Sequence, residues 1–174
     1  MRSNRKSMYK YNNKNNELLQ HKDSGPEPFV TNLKNAALQN NYFRSTLWTG
    51  KNLQLTVMSL LPYEDVGLEQ HKSVDQLLYV LQGVGEVRMG DRKDNLNFHR
   101  YVYENYAIII PAGKWHNLTN IGNKRLKLFS VYGPPEHPRG TIHRTKADDV
   151  SVTIEKERLD EPIIAPIGSD SEQI

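Results

Sequence analysis

The chain has 174 residues, of which 37% are hydrophobic and 25% charged, with a formal net charge of +3 and no cysteine. That length suits one domain with a core of its own, and the lack of cysteine rules out disulfide frameworks, thiolate zinc sites, iron–sulfur clusters and cysteine nucleophiles, while being compatible with a reducing cytosol. No apolar run approaches the roughly 18 residues of a membrane-spanning helix, and no apolar stretch follows the basic start at Met1 to Lys10 as a secretory signal would need, so a cytoplasmic protein with no membrane partner is expected.

Residues 1–28 are rich in Asn, Lys and Gln, carry six basic and three acidic residues, and close on Ser24-Gly25-Pro26-Glu27-Pro28. They read as a flexible, basic polar segment. Ordered structure is expected from Phe29, with one helical turn or two at Asn35 to Gln39. From Tyr42 the texture changes. Phe43 to Trp48 and Leu53 to Leu60 alternate apolar and polar residues, the period-two signature of half-buried strands. Further strands are predicted at Leu77–Leu81, Gly85–Met89, Tyr101–Tyr103, Ala107–Ile110 and Leu126–Tyr132, separated by turn residues such as Gly83, Gly90-Asp91, Gly113 and Gly122-Asn123. The close spacing, without intervening helical period, predicts an all-β antiparallel sandwich or barrel over residues 29–147. Pro134-Pro135-Glu136-His137-Pro138 reads as an ordered loop. Residues 148–174 hold two basic and eight acidic residues and read as an acidic tail, in which Val150 to Ile154 alternates once more as a possible edge strand. Residues 29–147 hold fifteen basic and nine acidic residues, but no basic run interleaves with aromatics, so nucleic acid is not an expected partner.

Two stretches concentrate the chemistry. In a strand, residues i and i+2 share a face, so Glu69 and His71 point the same way. Lys72 to Asp75 can turn the chain, and Gln76 opens the next strand on the face of Leu78 and Val80. His116 follows the turn Pro111-Ala112-Gly113 in a second hairpin. Two imidazoles, a carboxylate and an amide oxygen suit one divalent transition ion such as Mn, Fe, Co, Ni or Zn. The bland readings stay open at this point: Glu69 could pair with Lys72 or Lys114, and Gln76 could satisfy a buried backbone group. His137 and His143 read as surface histidines held by Glu136 or Asp148, with a place at the pocket mouth or a proton-donating role as the alternative. Trp115, opposite in parity to His116, is expected outside the barrel or at a subunit contact. Arg88, Arg100 and Lys127 read as solvated strand faces, with anion binding as the alternative.

The pattern Gly67-x3-His71-x4-Gln76-x6-Gly83, followed by Pro111-x-Gly113-x2-His116-x3-Asn120, resembles the two motifs of the cupin superfamily. The second motif matches at every defining position, and Pro134-Pro135-Glu136-His137-Pro138 resembles a subgroup of small single-domain bacterial cupins. The first motif departs twice, with Glu69 where the first His is expected and Gln76 where the Glu is expected. The exchange conserves charge, so the resemblance implies a double-stranded β-helix, or jelly-roll barrel, holding one ion on Glu69, His71, Gln76 and His116. Gln76 has no proton to exchange, which leaves Glu69 as the candidate base beside the ion. The implied activity is dioxygenase-like oxidation of a small enol, diketone or phenol. Alternatives are isomerisation of a phosphorylated or acidic sugar, and a non-catalytic module binding a small ligand or metal. Resemblance and the need to cover sheet edges imply a homodimer.

Overall fold

In the computed structural model, which describes residues 22–149, the period-two pattern becomes ten antiparallel strands and one short helix. In chain order these are α1 (Leu33–Gln39), β1 (Arg44–Thr49), β2 (Gln54–Leu60), β3 (Glu69–Gln70), β4 (Asp75–Gln82), β5 (Gly85–Gly90), β6 (Phe98–Val102), β7 (Ala107–Ile110), β8 (Trp115–Asn120), β9 (Leu126–Gly133) and β10 (Ile142–His143). A six-stranded sheet in the order β10-β1-β2-β9-β4-β7 faces a four-stranded sheet in the order β3-β8-β5-β6. The expected edge strand at Val150 to Ile154 and most of both polar tails lie outside the described residues.

Strand register explains why one interior serves as both core and site. Across β2, β9 and β4, Gln54, Tyr132 and Gln76 lie in one row; Thr56, Ser130 and Leu78 form the next; Met58, Leu128 and Val80 form the third. All nine are buried. The inner lining thus changes from polar to apolar along the strands. Its apolar end packs Met58, Leu60, Leu78, Val80, Leu126 and Leu128 against Val87, Val102 and Leu118 of the opposite sheet. Each such side chain contributes about 1.5–3 kcal/mol by leaving water, so this end carries the stability and leaves the other free to be polar.

The outer face of the large sheet is apolar too. Leu47, Val57 and Leu81, flanked by Leu55, Tyr79 and Phe129, pack under Ala36 and Ala37 of α1. That is why β2 and β9 carry apolar residues on both faces. Asn32 caps the helix by accepting from the Asn35 amide at 3.0 Å. At the other end Lys127 Nζ donates to the Asn40 carbonyl and, at 3.2 Å, to Asn41 Oδ1. The solvated role expected for Lys127 is therefore wrong: it is 4% exposed, anchors the helix C-terminus, and burial beside Arg125 lowers its pKa to about 8.

The ordered body reaches further towards the N-terminus than Phe29. Asp23 is buried, its Oδ1 accepting from the Gly25 amide at 2.9 Å and its Oδ2 from Thr49 Oγ1 at 2.5 Å. Gly25 passes so close to β1 that a Cβ there would lie 2.1 Å from the Thr49 carbonyl oxygen. The Glu27 carbonyl also accepts from Trp48 Nε1 at 2.7 Å.

Candidate metal centre

The two chemically suggestive stretches are stitched together by backbone. Glu69 of β3 stands directly opposite His116 of β8. The Pro111-Ala112-Gly113 turn then fastens to the first hairpin three times. The Gly113 amide donates to the His71 carbonyl at 2.7 Å, Gln70 Nε2 donates to the Gly113 carbonyl at 2.9 Å, and the Ala112 amide donates to Asp75 Oδ1 at 2.8 Å. Gly113 has φ +81°, a conformation that glycine adopts without strain, which is why the turn needs it. Asn120, four residues after His116, is fully buried. It donates to the carbonyls of Leu60, Leu61 and Lys124 at 3.1, 3.0 and 2.8 Å, and its Oδ1 accepts from the Gly122 amide at 3.0 Å. Its place in the motif is architectural.

These supports converge three of the expected ligands. One donor atom each from Glu69, His71 and His116 lies within 4.8 Å of the other two. His116 Nδ1 sits 3.1 Å from the Lys114 carbonyl. A carbonyl only accepts, so Nδ1 carries the proton and Nε2 faces Glu69 Oε1 at 3.2 Å. His71 is arranged alike, with Nδ1 3.4 Å from Glu136 Oε2 and Nε2 3.4 Å from the same Glu69 oxygen. Each imidazole is therefore braced at Nδ1 and aims Nε2 at one point, the orientation that carboxylate or carbonyl support gives metal-binding histidines. The alternative pairings of Glu69 with lysine do not occur: Lys114 pairs with Asp91.

Gln76 is buried at 3% exposure on the first row of β4. Its Nε2 donates to Ser130 Oγ at 3.1 Å, while its Oε1 has no hydrogen-bond partner. The amide is thus satisfied at its nitrogen and bare at its oxygen. It is not the satisfied structural amide of the bland reading.

Charges at the site are strongly coupled. Burial opposes protonation of His71, yet Glu136 and Glu69 outweigh it and raise its pKa to about 9. Burial likewise opposes ionisation of Glu69, but hydrogen bonds from His116 and His71 and the field of Arg44 hold its carboxyl well below the usual range. The His71 ring lies between the two carboxylates, with Nε2 towards Glu69 and Nδ1 towards Glu136.

Several residues join the site that sequence reasoning missed. Tyr132 is fully buried, with ring centroids 5.8 Å from His71 and 5.1 Å from His137. Period two along Leu126, Leu128 and Ser130 carried the signal that Tyr132 faces inward. Arg44, 1% exposed, donates from Nη1 to Asp149 Oδ1 at 2.7 Å. It is paired across the strands with His143. His143 is buried rather than a surface residue, and its partner is Asp149, 2.6 Å away, not Asp148. His137 is not held by its neighbour Glu136, which braces His71; burial and then Arg44 hold the His137 pKa well below its usual value. Trp115 does lie outside the barrel, under Lys93 at 5.4 Å.

Residues 56–132 match the cupin domain family. The chain is 58% identical over 130 residues to the uncharacterized protein YrkC of Bacillus subtilis, covering 75% of this chain and 70% of that protein. It is 36% identical over 115 residues to an uncharacterized protein of Acanthamoeba polyphaga mimivirus, covering 66% of this chain and 70% of the relative. Among solved structures, BH2720 from Bacillus halodurans is 52% identical with a TM-score of 0.74, covering 75% of this chain and 98% of that one. The barrel, the paired hairpin motifs and these likenesses together establish that the chain belongs to the cupin family.

Proposed function

We propose that this cupin holds one divalent transition ion on Glu69, His71, Gln76 and His116 and acts on a small oxygen-bearing molecule by dioxygenase-like oxidation. The observation that carries the reading is the convergence of two braced Nε2 atoms and Glu69 Oε1 within 4.8 Å, with the unpartnered Gln76 Oε1 on the adjoining strand. When bound, the ion supplies Lewis acidity and a template for a chelating substrate. The protein's own part is to fix the ligands. Glu136 and the Lys114 carbonyl set the two imidazole orientations, Ser130 orients the Gln76 amide, and the barrel wall excludes bulk water. Glu69 is the carboxylate nearest the reacting atoms and the proposed base, set in a buried network that keeps it ionised.

Elemental analysis after loading with Mn, Fe, Co, Ni or Zn tests the centre. Loss of stoichiometric metal in His116→Ala is expected, and a metal-free wild-type protein would refute the reading. Oxygen uptake with enols, diketones and phenols tests the reaction class. Turnover that persists without oxygen would replace oxidation by isomerisation. Pairing of two chains is proposed at the cleft of about 340 Å³ lined by Phe98, Tyr101, Tyr106 and Ile109, where β6 and β7 end their sheets among the described residues. Light scattering of the eluted protein should give twice the 20.1 kDa chain mass, and a monomeric mass would refute it.

A further inference from the structure

Two buried glutamines share one row of the large sheet, with Tyr132 between them, and their amides end differently. Gln76 keeps its oxygen bare. Gln54, 0% exposed on β2, has its whole amide engaged. Its Nε2 donates to the His137 carbonyl at 2.7 Å and to Thr49 Oγ1 at 2.9 Å, and its Oε1 accepts from the His137 amide at 3.0 Å. A side-chain amide that gives to and takes from the backbone of one residue does what a neighbouring strand does. Here it serves a loop with few donors of its own, since Pro134, Pro135 and Pro138 carry no N–H.

The exit of the same loop is tied as well. Asp23, 5% exposed, accepts from the Gly140 amide at 3.3 Å and from Thr49 Oγ1 at 2.5 Å. Thr49 Oγ1 in turn accepts from Gln54, so the two anchors form one chain of hydrogen bonds that runs from Asp23 through Thr49 and Gln54 to the His137 backbone. Next to His137 is Glu136, whose Oε2 lies 3.4 Å from His71 Nδ1. The Glu136 side chain is only partly buried, so the place of its carboxylate depends on the backbone that carries it. Outer supports of this kind fix the orientation of a metal-binding imidazole.

We infer that Gln54 is a positioning residue of the metal centre: by fixing the His137 backbone it holds Glu136 against His71 Nδ1 and so keeps His71 Nε2 aimed at the ion, with Asp23 steadying the loop at its exit. The inference rests on the metal centre proposed above and adds to it a control point on β2 that is not among the ligands.

The test is a double-variant cycle on the zinc affinity of the full chain. Affinity is measured against a competing chelator at a pH above the His71 pKa of about 9, so that ligand orientation is read and proton competition is not. Gln54→Leu removes all three hydrogen bonds and should weaken zinc binding about tenfold, the lower end of what loss of an outer support costs. Glu136→Ala should weaken it about tenfold or more. The double variant should bind no more weakly than the worse single variant, because Gln54 acts through Glu136. Asp23→Asn should give a smaller loss of the same sign, also absent from the Glu136→Ala background, and it takes the place of Gln54→Leu should that variant not fold. Losses that multiply in the double variant overturn the inference and move the effect elsewhere, for instance to Tyr132 between the two glutamines. Wild-type affinity in Gln54→Leu, or in Asp23→Asn where Gln54→Leu does not fold, overturns it too. Wild-type protein that binds no zinc overturns the metal centre itself, whereas zinc held equally by wild type and variants leaves the centre standing and removes only this role of Gln54.

Discussion

Metal binding should compete with one proton, and the size of that competition follows from His71. Two carboxylates 3.4 Å from its ring nitrogens raise its pKa to about 9, whereas a free imidazole titrates near 6.5. A ligand nitrogen must be bare to bind an ion, so below pH 9 the ion has to displace that proton. At pH 7 the gap is about two pH units, a penalty of about 3 kcal/mol or a factor of ~100 in affinity. Apparent Zn(II) affinity should therefore rise about tenfold per pH unit from 6.5 to 8.5 and flatten beyond about 9. Titration calorimetry in buffers of different ionisation enthalpy should count close to one proton released from this residue at pH 7. Glu136→Gln removes one of the two supporting carboxylates, so the break should move to lower pH, whatever happens to the absolute affinity. Affinity that does not vary between pH 6.5 and 8.5, without proton release, would refute the reasoning.

Three other outcomes follow from the same contacts. In chelator-treated protein the folded pKa of His71 lies above its unfolded value, so its stabilisation is complete below about pH 6.5 and is lost as pH rises through 9; thermal melts should show the midpoint falling across that window, and a flat profile would contradict it. Asn120→Ala removes four hydrogen bonds to backbone groups, which at roughly 1 kcal/mol each should cost ~3–4 kcal/mol in urea unfolding while leaving metal stoichiometry intact; an unchanged midpoint would show that the residue is not the clamp described here. Arg44→Met removes one charged partner of the Asp149 carboxylate while His143 stays 2.6 Å away, and should cost roughly 1.5–3 kcal/mol, most of it recovered in the double variant with Asp149→Asn; additive losses in that cycle would mean the two do not act as a pair.

The parts of this protein that were legible in its sequence are those written in local pattern. Strands β2, β4, β5, β7 and β9 follow from apolar alternation bounded by Gly and Pro, and His71 and His116 from their spacing around turn glycines. What stayed hidden depends on long-range register. Glu136 reads as a loop carboxylate beside His137, yet it braces His71, 65 positions earlier in the numbering. Arg44 sits in an ordinary alternating strand. Only its pairing with β10 and the approach of Asp149 from 105 residues away make a buried arginine tolerable. Lys127 reads as an exposed strand lysine because period two cannot reveal that α1 covers that face. His143 failed for a related reason: parity around a proline-rich loop is not fixed until its short strand pairs.

The central claim is that four side chains from two hairpins share one cation, and its most direct test is anomalous diffraction from crystals of the cobalt- or zinc-loaded protein. A single anomalous peak should fall within bonding distance of Glu69, His71 Nε2, Gln76 Oε1 and His116 Nε2. A peak elsewhere, or no peak in metal-soaked crystals, would contradict it.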